Sequence, residues 1–146
     1  MPVRLTMIVA VALGVGFSCE IAAAPALDFE TFKSRVEPVF LQKRDGHTRC
    51  YVCHAESNNN FRLEKLSPGS SAWTEEQSRK NFEMVSKIVQ AVDDPLKSKI
   101  LIHPLAPESG GDAYHSGGRQ FATKNDPLWK TIADWTKGAT LPAGKK

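Results

Sequence analysis

Two cysteines and a histidine stand together in the run Cys50-Tyr51-Val52-Cys53-His54. Thiols three positions apart can each add to one of the two vinyl groups of a porphyrin, and the adjacent imidazole can then reach the iron as proximal ligand. This Cys-x-x-Cys-His pattern is the attachment signature of a covalently bound c-type haem, with each residue type needed for a different bond. Three fixed positions in five can arise by chance, so the compartment and the remaining cysteine decide how much the pattern weighs.

Both favour haem. The N-terminus carries Arg4, an apolar run from Leu5 to Phe17, and small residues through Ala22-Ala23-Ala24-Pro25-Ala26. That is the layout of a secretory signal peptide cleaved near Ala23 to Ala26, which divides the chain into a leader, 1–25, and a domain, 26–146. An uncleaved N-terminal anchor is the alternative, although the apolar stretch is short for a transmembrane helix. Cys19 is expected to leave with the leader; its position after Gly16-Phe17-Ser18 also resembles a lipid-attachment site. The mature chain then holds only Cys50 and Cys53, with no distant disulfide partner in an exported, oxidising setting. A periplasmic or secreted bacterial location is expected.

Four side chains could take the second axial position on an iron bound by His54. Met84 falls mid-helix among apolar residues, where methionine usually fills core space. His103 follows an apolar turn and precedes Pro104, and His47 is close to the pentad on the chain. His115 sits in a loop with Gly117 and Gly118, which let the backbone pass close to a porphyrin. Arg119 follows that glycine pair and its planar fork suits a haem propionate; Tyr114 is a weaker candidate for the same role. Trp73, Trp129 and Trp135 are read as core residues.

These residues need elements to place them. Asp28 caps a first helix carrying Phe29, Phe32, Val36, Val39 and Phe40, with a break or kink expected near Glu37 because Pro38 follows. The link Lys43-Arg44-Asp45-Gly46-His47 leads to the pentad. Thr74-Glu75-Glu76-Gln77 forms a capping box for a second helix, lined by Phe82, Val85, Val89 and Val92 and ended by Asp93-Asp94-Pro95. A helical turn from Leu96 to Leu101 follows. A last helix is capped by Asn125 or Asp126, has Pro127 at its first position, buries Leu128, Ile132 and Trp135, and closes at Lys137-Gly138. Ser67 to Ser71 and Pro104 to Gly118 read as loops. No alternating strand is visible, so the fold class is all-α.

About 120 residues remain after the leader, enough for one domain with one core. The formal charge of +3 comes from scattered Lys and Arg without a basic stripe, which gives no case for nucleic-acid binding, and Lys145-Lys146 reads as a solvated tail.

The order of first helix, pentad, loops and aromatic-bearing last helix resembles a small mono-haem c-type cytochrome of class I type. Val36-Glu37-Pro38-Val39-Phe40, Ser98-Lys99-Ile100-Leu101, His115-Ser116-Gly117-Gly118 and Trp135-Thr136-Lys137-Gly138 bring it closest to the cytochrome c domains common in planctomycetes and acidobacteria. The resemblance implies a class I-like fold around one covalent haem, electron transfer, and a C-terminal helix packed across the N-terminal one near the haem edge. It also implies a distal ligand roughly ten residues before the last helix, where His115 stands. No methionine stands near the last helix, so the chain departs from His/Met ligation. Bis-histidine ligation lowers the reduction potential relative to thioether ligation.

The expected function is an exported one-electron carrier with His54 proximal and His115 distal, serving a dehydrogenase, an oxidase or another cytochrome. It is not expected to be an enzyme. The alternative is a peroxidase-like haem enzyme or a gas sensor with an open sixth position. A zinc site lacks a second ligand motif, and a thiol-redox site lacks the βαβ context. No hydrolase or nucleotide-binding motif is present.

Overall fold

The computed structural model describes residues 26–56 and 58–141. The expected leader, 1–25, with Cys19, lies outside the described residues, as does the Lys145-Lys146 tail. No described helix is long and apolar enough to cross a membrane.

Five helices carry the fold: α1 (29–41), α2 (Cys50–Glu56), α3 (Glu75–Gln90), α4 (Lys99–Ile102) and α5 (Pro127–Thr136). Short 3-10 turns at Pro95–Lys97 and Pro107–Ser109 flank α4. Among the described residues there is no strand, only isolated bridges between Arg44 and His47 and between Leu105 and Phe121. The chain is all-α.

Helix α1 begins where Asp28 Oδ1 accepts the Thr31 N–H at 2.7 Å. Pro38 does not break it. Lacking an N–H, Pro38 cannot bond the carbonyl four residues back, and its ring crowds that turn. The chain accommodates this by widening Phe32–Val36 into a π-turn, in which the Glu37 N–H bonds the Phe32 carbonyl five residues back. The helix therefore passes the proline and delivers Val39 and Phe40 to the core.

In α3 the capping box forms as expected, Gln77 N donating to Thr74 Oγ1 at 3.3 Å and Thr74 N to Gln77 Oε1 at 3.0 Å. The helix ends at Gln90, before Asp93, so Val92 drops off its apolar face and is 36% exposed. In α5 the cap is Asp126 rather than Asn125, with Oδ1 accepting from Leu128 N at 2.9 Å and Trp129 N at 3.4 Å. Gly138 adopts φ +89°, the left-handed conformation that stops a helix without a Cβ penalty.

Helix α5 packs across α1. The Trp135 ring lies 5.2 Å from that of Phe32, and its indole N–H donates to the Asp28 carbonyl at 2.9 Å. Phe32 also meets Phe82 of α3 at 5.5 Å and Phe40 at 6.3 Å. All three tryptophans are buried, and each indole N–H has a backbone carbonyl: Trp73 on Glu64, Trp129 on Leu101, Trp135 on Asp28. Truncating a ring of this kind to alanine costs about 3–5 kcal/mol.

One carboxylate enters this core. Glu37 is 5% exposed, and its Oε2 accepts from the Ser78 hydroxyl at 2.9 Å while Oε1 has no hydrogen-bond partner. Burial pushes the Glu37 carboxyl above its ordinary value of 4.5, against the opposing hydrogen bond of Ser78. The unfolded chain therefore ionises first as pH rises, and the stability Glu37 contributes below pH 4.5 is lost above it. Glu37→Gln is expected to raise the melting temperature at pH 8 and to change it little at pH 4; equal shifts at both would contradict the assignment.

Gly111 is the tightest glycine in the long loop. A Cβ there would lie 1.9 Å from the Leu105 carbonyl oxygen. Gly111→Ala must push the two backbones apart, so a loss of about 1–3 kcal/mol is expected in urea denaturation. A midpoint equal to that of the parent protein would refute this.

Candidate functional site

The pentad was not assigned to a helix by its sequence, yet α2 spans it, and this decides its geometry. Positions i, i+3 and i+4 of a helix share a face, so Cys50, Cys53 and His54 are presented together. Both cysteines are half-buried thiols outside any disulfide. Burial pushes the Cys50 thiol up to about 11, the opposite of the lowered thiolate that a thiol-redox site requires.

His54 is oriented by a strap running through residues 58–66. Its Nδ1 lies 2.8 Å from the Phe61 carbonyl oxygen, and its ring sits 4.2 Å from the Phe61 ring. The strap is pinned at several points: Leu63 N donates to the His54 carbonyl at 2.9 Å, Glu64 N to Asn81 Oδ1 at 2.8 Å, and Leu66 N to the Tyr51 hydroxyl at 3.0 Å. Burial lowers the His54 pKa, with the Phe61 carbonyl opposing and the nearby His115 reinforcing. In a neutral imidazole that donates from Nδ1 to a carbonyl, Nε2 carries the lone pair, and the Asn59 side chain is a further hydrogen-bonding partner of this ring.

His115 repeats this arrangement. Its Nδ1 lies 2.5 Å from the Gly118 carbonyl, within a turn closed by Gly118 N donating to the His115 carbonyl at 2.9 Å. Gly118 takes φ +75°, and a Cβ at Gly117 would sit 3.3 Å from His115 Cε1, so both glycines serve the turn. The His54 and His115 rings are 6.3 Å apart between centroids and within 17° of parallel. A metal–imidazole bond of about 2 Å plus about 1 Å from nitrogen to ring centre, counted on both sides, gives about 6 Å. Two imidazoles sharing one metal would have their ring centres at a comparable distance.

Of the other candidate ligands, only His103 is near this pair. Met84 lines a shallow surface depression with Ala55, Leu63 and Lys87. His47 belongs to the 44–47 turn, where its carbonyl accepts from Lys43 Nζ at 2.7 Å. Tyr114 is 73% exposed. His103 stands beside the pair, its ring 4.9 Å from that of His115 and inclined at 72°. Arg119 spans the carbonyls of His103 and Ala113, so two of its donors hold the loop that carries His115.

Several positioning residues were not apparent from sequence. Phe61 is a lone aromatic in a polar stretch, the one local cue available. Arg44 donates to the Gln120 carbonyl and, at 2.6 Å, to Asp126 Oδ2, with its guanidinium 5.3 Å from the Phe121 ring centre. Gln120 in turn donates to the carbonyls of Thr48 at 3.1 Å and Gly117 at 3.3 Å. These bonds tie the approach to α2 against the His115 loop across more than 70 residues of chain, a separation that no local pattern encodes.

Among the described residues, no group of three or more His, Cys, Asp or Glu side chains is arranged to hold a metal ion. A porphyrin supplies its own four equatorial nitrogens and asks the protein for axial ligands only, so two imidazoles would be enough to hold one. Compared with known proteins, the chain matches no family model, no curated protein and no solved structure.

Proposed function

We propose that this chain is an exported mono-haem c-type cytochrome of class I-like fold, working as a one-electron carrier rather than an enzyme. The near-parallel His54 and His115 rings, 6.3 Å apart beside the face that carries Cys50 and Cys53, are the observation that carries this reading.

Cys50 and Cys53 would form the two thioether links, one turn apart on α2, and His54 would be the proximal ligand. His115 would be the distal ligand, its ring held by the Gly118 carbonyl as that of His54 is held by Phe61. Arg119 retains guanidinium donors beyond the two spent on loop carbonyls, enough to meet a propionate. When bound, the haem supplies reversible one-electron chemistry between ferric and ferrous iron. With both imidazoles as ligands no coordination position would remain open, which favours electron transfer over peroxidase or gas-binding chemistry. The modest net charge of +3 suits transient docking to a redox partner protein without strong steering.

Protein produced with haem-attachment machinery and exported to the periplasm is expected to give a c-type pyridine haemochrome and a low-spin reduced spectrum. Loss of covalent haem in Cys50→Ser and Cys53→Ser should follow. Failure of the parent protein to take up covalent haem would sink the reading. His115→Ala is expected to turn the spectrum high-spin and open the iron to carbon monoxide, and an unchanged low-spin spectrum would remove His115 as ligand. His115→Met, if it ligates, should raise the reduction potential, because thioether favours the ferrous state.

A further inference from the structure

We infer that His103 and Asp112 are positioning residues that fix the plane of the His115 ring. The inference rests on the proposed bis-histidine site and deepens it.

His103 is not a core residue, since its side chain is 42% exposed, yet it is braced from several directions. Asp112 Oδ2 lies 2.7 Å from its Nδ1. That carboxylate is itself anchored by Lys99 Nζ at 2.8 Å, and the Asp112 N–H donates to the Ile102 carbonyl at 2.9 Å. The His103 carbonyl accepts from Arg119 Nη1 at 3.4 Å, and the His103 N–H donates to Lys99 O at 3.1 Å. So many restraints on a half-exposed imidazole are explained by what it touches. Its ring meets the His115 ring edge-to-face, at 4.9 Å and 72°.

The Gly118 carbonyl restrains His115 at a single atom and leaves the ring free to swing about that contact. A second ring set nearly perpendicular against it removes this freedom. The result is the 17° angle between the His54 and His115 planes. Ring orientation is a lever that surrounding groups use to tune a metal, because each axial imidazole plane selects which iron d orbital it raises. Near-parallel planes reinforce one another and give a rhombic ferric signal with three resolved g values. Crossed or scattered planes shift the largest g value upward and broaden it.

The test uses the haem-loaded protein and reads ferric electron paramagnetic resonance beside the optical spectrum. The parent protein should show the rhombic signal. His103→Ala should keep the low-spin optical spectrum while the largest g value shifts and broadens, and His103→Phe, which preserves a ring at the contact, should restore the parent signal. Asp112→Ala, which keeps all three imidazoles, should shift the signal in the same direction as His103→Ala and carries the test if that variant does not fold. An unchanged signal in His103→Ala or Asp112→Ala would overturn the inference. So would loss of the low-spin spectrum in His103→Ala with its retention in His115→Ala, because His103 would then be the ligand. Absence of covalent haem in the parent protein is a separate result, which removes the site itself.

Discussion

Phe32 holds the molecule together. Its ring is fully buried against Trp135 of α5, Phe82 of α3 and Phe40 further along α1, so one side chain joins three helices. From Phe40 the ring contacts continue to Phe61 at 5.7 Å, and from Phe61 to His54 at 4.2 Å. The imidazole of the pentad is thus the last member of an aromatic chain that starts at the helix crossing. Because protein interiors are packed to near-crystalline density, a displacement at one end of such a chain is felt at the other.

That dependence explains why α1 tolerates a π-turn. Pro38 could have ended the helix, and the next turn would then have left Val39 and Phe40 without a fixed direction. Widening one turn keeps the helix continuous and aims Phe40 at Phe61. The buried, partly unsatisfied carboxylate of Glu37 lies at the same place, where α1 meets Ser78 of α3.

The two halves of the site are built by different means. His54 belongs to a helix and is fixed by core packing and the 58–66 strap. His115 belongs to an irregular loop without a core of its own, so hydrogen bonds do the work: Gly118 on the ring, Arg119 and Asp112 on the neighbouring segment, and Gln120 and Arg44 tying the loop to the approach to α2. Polar restraints of this kind suit a segment that must present a side chain rather than bury it. They also let the distance between the rings be set from both sides.

Much of this was legible from residue order alone. Cys50, Cys53 and His54 raised the expectation of haem attachment by type and spacing, the Thr74–Gln77 box and Asp126-Pro127 marked helix starts, and the periodicity of Phe29 to Phe40 and of Leu128 to Trp135 pointed to the inward faces. Such signals are local: capping needs an oxygen two or three residues from the N–H it accepts, and a helical stripe repeats every three or four residues. Helix α2 escaped notice because seven residues with one exposed valine show no stripe, and the early end of α3 because its acidic stop lies three residues further on. The sequence placed His115 ahead of His103 as the partner of His54, but it gave no distance between any of these rings. That distance belongs to the folded chain, because the approach of the His54 and His115 rings, 61 residues apart, depends on the Arg44 and Gln120 contacts, on the Gly118 turn, and on α5 lying across α1.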